Sequence, residues 1–377
     1  MLAITAVLLL IVFVPYYLAT IDFGWPIPRD GTTLVVGRDF LNFWMYGQAA
    51  VEADPVRYYD VPTYWAATEA VTGPDYPAQL WSYPPSMMLL AAPFGQLPYF
   101  VALALWTVMG MALYAAALRL WTRDLRLIFP LMFAPAAVFG MMSGQFAYVA
   151  SAAILTVMRW REERPVTAGI LLGLLTLKPQ LGLFFPILLL ATRNWRLILA
   201  AGATALVIIG LTGLLWDFTT WKVYLEQGIA NQSLVLRDPE KLGGPFMPTI
   251  FMNARIAGAS YDLAMAIQGV AAAIAVVMIW LVFRRRPAAT DLEANALFLS
   301  AAVFGTPYML AYDSLSLATT AVLLMVSSDR WKLTPTLVYL LPLLQLIGLP
   351  GPALVPLVFA GLLMQSLRSA SGVSHER

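Results

Sequence analysis

The sequence contains no cysteine and one histidine, His375, close to the end of a 377-residue chain. Disulfides, thiol chemistry and any histidine- or cysteine-held metal inside the fold are therefore excluded. A carboxylate-held Mg²⁺ or Mn²⁺ stays open on composition alone. Charge is scarce too. Asp, Glu, Lys and Arg make up 12% of the chain, against about 25% in soluble domains. Hydrophobic residues make up 60%, which reads as an all-α polytopic membrane protein rather than a soluble domain. No concentrated basic tract points to nucleic acid, because the arginines and lysines are scattered through short linkers.

What the chain does have is long apolar runs. The first, MLAITAVLLLIVFVPYYLAT, lacks a basic leader and a cleavage site with a clean flank, so it reads as a retained first span. Others fall near 84–118, 127–142, 145–158, 165–177, 179–192, 197–215, 262–283, 292–309, 313–327, 333–349 and 352–368. That predicts about ten to thirteen spans, several of them shorter than the ~20 residues of a simple crossing. Short paired segments must tilt, re-enter or line a cavity. The linkers WTRDLR (121–126), RWREER (159–164), RNWR (193–196), FRRRP (283–287) and DRWK (329–332) are basic and alternate with neutral ones. The positive-inside rule places them in the cytoplasm, with both termini. The other side then holds residues 22–83, the turns at 143–145 and 178–180, residues 216–261, the turn at 308–313, and GLPGP (348–352). Residues 1–368 form one transmembrane domain on this reading, with 369–377 as a cytoplasmic tail.

The densest polar patch is VVGRDFLNFWMYGQAAVEADPVRYYD (35–60). Residues 38–52 carry Phe40, Phe43, Trp44, Gly47 and Val51 at helical spacing, which predicts an amphipathic helix lying at the membrane surface. Asp39 in its first turn caps the helix, pairs with Arg38, or serves as a carboxylate at the mouth of a membrane cavity. Tyr58 and Tyr59 suit interface anchors, and Pro84 and Pro85 suit the start of a long helix. Lys178, set between apolar runs, either snorkels outward or meets an anion such as a lipid phosphate. Asp313 begins a helix and either caps it or joins the polar face. Asp217, Glu226, Arg237, Asp238, Glu240, Lys241 and Arg255 lie on that same side by topology. Small residues around 169–173 read as helix packing.

Taken in order, RDF (38–40) with its aromatics, Asp54-Pro55 with Tyr58, YPP (83–85), GQ (144–145), KPQ (178–180) and TPY…YD (306–313) resemble glycosyltransferase family 87. That family is a branch of the GT-C fold of polyprenol-phosphate-sugar-dependent enzymes. The resemblance spans most of the chain; the extreme C-terminus and the 216–261 loop, which in that family helps choose the acceptor, match poorly. It implies a GT-C fold with extracytoplasmic amphipathic helices in a bacterial-type plasma membrane. It also implies transfer of a sugar, mannose first and arabinose second, from a polyprenyl-phosphate donor to a glycolipid or glycan hydroxyl. The resemblance makes Asp39 the general base of an inverting attack on the extracytoplasmic face.

The residue chemistry fits that implication. A carboxylate within reach activates a hydroxyl, and a departing phosphate needs cations. Lys178, Arg255 and Arg237 are the expected cations in that order, with Arg38 beside the base. Trp44, Tyr58, Tyr83, Gln145, Gln180, Tyr312 and Asp313 complete the expected substrate-binding set. Trp44, Tyr58 and Trp81 either stack on sugar and isoprenoid or anchor at the interface. A monophosphodiester donor demands neither a second acid nor a metal, and RDF is not a DxD motif, so neither metal nor cofactor is expected. The alternative is a multi-pass transporter or flippase, which broken helices also fit. It predicts internal symmetry, and the 35–60 patch has no repeat in the second half.

Overall fold

Proline, glycine and run length decide where the helices start and stop. The structure, a computed structural model, describes residues 1–77, 79–237, 246–346 and 351–372. Asp238, Glu240, Lys241, most of the GLPGP turn and residues 373–377 with His375 lie outside the described residues. Among the described residues all regular structure is helical, apart from isolated bridges joining Asp22 to Arg29 and Arg29 to Val35.

Helix α1 (Leu2–Ala19) is followed by a long loop carrying α2 (Phe40–Ala49) and α3 (Val61–Thr72). The run expected over 84–118 is two helices, α4 (Met87–Gly95) and α5 (Tyr99–Leu118). Pro98 stands at the N-cap of α5 and cannot donate to a continuing ladder. The 127–142 run bends by 45° between α6 (Leu125–Met132) and α7 (Pro135–Met142), again at a proline. Next come α8 (Ala147–Trp160) and α9 (Pro165–Leu174), then 3-10 turns at Leu175–Leu177 and Pro179–Gly182. Helices α10 (Phe185–Thr192) and α11 (Trp195–Trp216) follow. Helix α12 runs over 219–237 with a π-turn at Tyr224–Gly228. Helices α13 (Ile250–Ile256), α14 (Tyr261–Phe283) and α15 (Leu292–Gly305) lead to a 3-10 turn, Ala311–Ser314. That turn opens α16 (Leu315–Ser327). The 333–349 run is split into α17 (Leu333–Tyr339) and α18 (Leu341–Gln345), and α19 (Leu354–Gly372) follows.

The protein is an all-α polytopic membrane protein, but its spans are unequal. Among the described residues, α1, α5, α11 and α14 are each long and apolar enough to cross a bilayer, and the bent pair α6–α7 makes a fifth. Other apolar helices, among them α8, α9 and α15, have only 10–14 residues. Of the expected ten to thirteen segments, α1, α5, α11, α14 and the bent pair thus have the length of a simple crossing, and several others are shorter, as the runs implied. A helix the length of α8 rises about 21 Å, less than the ~30 Å apolar core of a bilayer. Such short helices are tolerable because the turns that end them are buried in protein.

Those turns and the basic linkers sit at opposite ends. Helix α8 runs from Gln145 to Arg159, α9 returns toward Lys178, and α15 runs back from the 283–287 linker toward Thr306. At the basic end Arg161 is buried and ties three linkers together. Its Nη1 donates to Asn295 Oδ1 at 2.8 Å, and its Nη2 to the carbonyls of Pro287 and Ala288 at 3.1 and 2.9 Å. Asn194 Nδ2 donates to the Arg161 carbonyl at 2.6 Å. The alternation of basic and neutral linkers thus has a counterpart in space.

Glycines set the closest helix contacts. A Cβ on Gly173 would lie 2.5 Å from Thr204 Cβ and 2.8 Å from the Ala201 carbonyl, so the 169–173 residues do serve packing, of α9 on α11. Helices α2 and α4 meet at Gly47 and Gly95, where a Cβ on Gly47 would lie 2.7 Å from Gly95 Cα. This corrects the expected surface position of α2. Its stripe faces inward: Phe40, Phe43 and Gly47 are buried, Phe43 stacks 5.0 Å from Trp106, and only Val51, beyond the helix end, is exposed. A valine at Gly47 would drive its Cβ into the α4 backbone. Gly47→Val is expected to lower stability by about 1–3 kcal/mol or more, read as a lower unfolding midpoint in detergent.

Candidate functional site

The carboxylate of Asp39 is placed by a backbone contact made elsewhere in the chain. Gly37 and Arg38 both have positive φ, 87° and 38°, and turn the chain sharply into α2. The amides of Asp39 and Phe40 then donate to the Ser143 carbonyl at 3.0 and 3.2 Å. Gly144, at φ 59°, permits this approach, since a Cβ there would collide with Phe40 and come 2.8 Å from the Gly37 carbonyl. The first amides of α2 are thus satisfied by the 143–145 turn. Asp39 stands at the N-cap position, yet its side chain makes no cap. Of the readings open for it, capping does not occur, and pairing with Arg38 does not occur either. Arg38 Nε instead bonds Asp30 Oδ2 at 2.7 Å.

The freed carboxylate meets residues from three other segments. Gln145 Nε2 donates to Asp39 Oδ2 at 2.9 Å, and Tyr312 Oη donates to the same oxygen at 3.1 Å. Oδ1 accepts no hydrogen bond from any described residue. The Gln145 amide is oriented in turn, its Oε1 accepting the Phe146 amide at 3.1 Å and its Nε2 lying 3.4 Å from Tyr83 Oη. The backbone of Tyr83 is fixed by Tyr46 and Tyr59, whose hydroxyls donate to its carbonyl at 2.8 and 3.1 Å. Burial pushes the pKa of Asp39 above the ordinary carboxylate value; the Gln145 and Tyr312 hydrogen bonds, then the charges of Lys178 and Arg38, pull it partly back. Asp39 itself is half-buried.

Behind Tyr312 lies an ion pair. Lys178 Nζ is 2.5 Å from Asp313 Oδ1, and both side chains are at most 2% exposed. Asp313 Oδ2 also accepts the Leu310 amide at 3.1 Å, so this aspartate does brace its own turn. Lys178 does not snorkel outward; a protein carboxylate compensates it. Its ammonium lies 5.1 Å from the Tyr312 ring centroid.

The other expected residues divide. Gln180 is half-buried in the 3-10 turn after Lys178. Trp44 Nε1 donates to the Leu97 carbonyl at 3.0 Å, tying α2 to the start of α5. Tyr58 is buried with its hydroxyl on Glu52, and its ring lies 5.1 Å from Trp81. Trp81 is 1% exposed and stacks 3.4 Å from Tyr46. The Tyr58 and Trp81 rings are thus buried against one another rather than in lipid. Arg255 closes the end of α13 on the Ala259 carbonyl at 2.8 Å, and Arg237 lies 4.9 Å over Tyr261. Neither bonds Asp39. Their helices form an apolar cluster against which Leu80, Tyr308 and Leu310 pack, so the second long loop borders the site. Sequence reasoning missed Asp30 as the partner of Arg38 and Ser143 as the seat of α2; Gly144 within SGQF was the available signal.

One half-buried carboxylate, one of its oxygens held by two neutral donors and the other open, is suited to accepting a proton. Its support depends on Lys178 and Asp313 remaining paired. Lys178→Met is expected to cost about 3–5 kcal/mol by leaving Asp313 uncompensated, whereas Lys178→Met with Asp313→Leu recovers much of that loss. Unfolding midpoints of the two variants in detergent check this.

A model of glycosyltransferase family 87 matches residues 81–312. That stretch includes Tyr83, Gln145, Lys178, Gln180 and Tyr312. No curated protein and no solved structure matches the chain. With well over half of its length covered, the chain belongs to glycosyltransferase family 87.

Proposed function

We propose that this glycosyltransferase inverts configuration as it moves a sugar, mannose first among candidates, from a polyprenyl-phosphate donor to a hydroxyl of a glycolipid or glycan. Asp39 is the general base. Oδ1 accepts the proton of the acceptor hydroxyl as that oxygen attacks the anomeric carbon. The bond from that carbon to the phosphate oxygen breaks, and polyprenyl phosphate leaves with the electron pair. The observation that carries this reading is the division of labour within Asp39: Oδ2 is held by Gln145 and Tyr312, while Oδ1 has no partner among the described residues. A base fixed in this way need not reorganise during proton transfer.

The charge on the leaving phosphate calls for a cation. Lys178 was first in order by sequence, but Asp313 holds it. Arg38 is the better candidate. It adjoins the base, its side chain keeps 29% exposure, and its bond to Asp30 uses Nε alone. A phosphate of this kind leaves without protonation, and the proposed reaction routes no step through a metal.

Two features support a lipid-linked donor on the extracytoplasmic face of a plasma membrane. The site's turns lie at the end of the helices opposite the basic linkers, and those linkers are the cytoplasmic mark. In addition, α8 lifts Gln145 only about 21 Å from the basic end, so the site lies below the far surface of a ~30 Å core. A soluble sugar nucleotide would have to descend to it, whereas a sugar on a polyprenyl phosphate is delivered at that depth.

Asp39→Asn is expected to reduce transfer from radiolabelled polyprenyl-phosphate mannose by about 10²–10⁴-fold in membranes containing folded protein. Undiminished transfer would remove Asp39 from the chemistry. In the wild type, activity falls as pH drops through the pKa of Asp39, which lies above the ordinary ~3.9. Tyr312→Phe removes a donor that favours the charged carboxylate, so the acidic limb of its pH–rate profile is expected at higher pH. An unmoved limb would separate Tyr312 from the base.

A further inference from the structure

Gln345 ends α18 and is 2% exposed, and neither its Nε2 nor its Oε1 has a hydrogen-bond partner. A carboxamide offers two donors and two acceptor lone pairs, and burying all of them unmet is costly. The other buried polar groups without partners are less deprived. Ser86, Ser300 and Tyr17 each leave one hydroxyl unmet, Gln79 leaves only its oxygen, and Arg29, Arg161 and Arg255 leave one nitrogen each. Among the described residues Gln345 alone leaves both a nitrogen and an oxygen unbonded.

Its place in the fold gives this meaning. Helix α18 packs against α7 and against the Ala311–Ser314 turn. Helix α7 leads directly into the Ser143 and Gln145 turn, and the Ala311–Ser314 turn carries Tyr312 and Asp313. These two elements touch, since a Cβ on Gly140 would lie 3.3 Å from Tyr312 Cβ. The chain reaches α18 by climbing away from the basic end, where Trp331 Nε1 bonds Glu293 at 2.8 Å. The unmet amide therefore lies on the third element of the junction that holds both donors to Asp39. A buried amide without a protein partner, on a helix packed against the two elements that carry the donors to Asp39, is suited to adjacent ring hydroxyls, donating to one and accepting from the other.

Resting on the transfer reading above, we propose that Gln345 is a specificity-determining residue that hydrogen-bonds hydroxyls of the carbohydrate in the Asp39 site. The sugar ring of the donor and the ring of the acceptor share this chemistry.

The test compares wild type, Gln345→Leu and Gln345→Asn in membranes and in detergent. Transfer from polyprenyl-phosphate mannose is measured with donor and acceptor varied separately, and repeated with a donor lacking one ring hydroxyl. The leucine variant is expected to keep or raise the unfolding midpoint while kcat/KM falls about 10–100-fold, with the asparagine variant between. A rise in KM confined to the donor, with lost preference for the full sugar over the deoxy donor, assigns the contact to the transferred sugar. A rise confined to the acceptor assigns it there. Unchanged kcat/KM for both substrates would overturn the role. So would a lowered unfolding midpoint in the leucine variant with inactivity in proportion, because the amide would then serve the fold through water. Wild-type protein that transfers from no polyprenyl-phosphate sugar would bring down the transfer reading, and this role with it.

Discussion

If Asp39 is the base, as proposed, its carboxylate has to be held inside an apolar protein without being neutralised. The surroundings of Asp39 meet that constraint. Its backbone and that of Phe40 are seated on the Ser143 carbonyl, so the helix end does not consume the side chain as a cap. Its neighbouring arginine is diverted to Asp30. The donors that reach it, Gln145 and Tyr312, are neutral and share one oxygen. Had Lys178 reached Asp39 directly, the strong ion pair would have made the carboxylate a poor base. Lys178 is instead spent on Asp313, and its field reaches Asp39 only from behind Tyr312. Positive charge lowers the cost of burying the carboxylate without engaging it.

The same constraint explains why so many helices are short. Seating the N-terminus of α2 on a turn that follows α7, and Tyr312 on a turn that follows α15, requires polar turns within the depth of the helical bundle. Backbone groups in such turns need partners in protein, because lipid supplies none. The turns find them in a neighbouring element, as Ser143 does with α2, or within themselves, as Leu310 does with Asp313 and Phe146 with Gln145. The long helices α1, α11 and α14 carry exposed apolar faces, with Leu214 as much as 80% exposed. They provide the lipid-facing girth that frees the shorter ones for the site.

Much of this was legible in sequence because apolar runs and basic linkers are one-dimensional signals. The run boundaries anticipated α11 and α14 closely, and they failed where a proline or glycine broke a run without changing its hydropathy, as at Gly95 and Pro98 or around Pro342. The motif residues Asp39, Tyr83, Gln145, Lys178, Tyr312 and Asp313 do converge in the structure. What the sequence could not carry was pairing. An aspartate beside an arginine looks like a pair, yet positive φ at Arg38 sends the two side chains apart. An amphipathic stripe of rings looks like a lipid anchor, yet Gly47 and Gly95 let α2 sink against α4. The first depends on a backbone angle and on a partner eight residues away, the second on a contact dozens of positions away, and periodicity records neither.

The aromatic layer under the site illustrates how far the support extends. Tyr46 and Tyr59 converge on the Tyr83 carbonyl, Trp81 packs between their rings, and Asn231 of α12 bonds the Tyr59 carbonyl at 3.1 Å. Trp216, at the end of α11, bonds the Ala50 carbonyl at 2.9 Å. The second long loop is thereby connected to the first through buried hydrogen bonds rather than laid loosely across it. The contacts run from that loop through Tyr59 and Tyr83 to Gln145, and from Gln145 to Asp39. On the transfer reading proposed above, with the acceptor met at that border, such a chain of contacts would allow acceptor binding and the orientation of Asp39 to be coupled, with no residue of the loop touching the carboxylate itself.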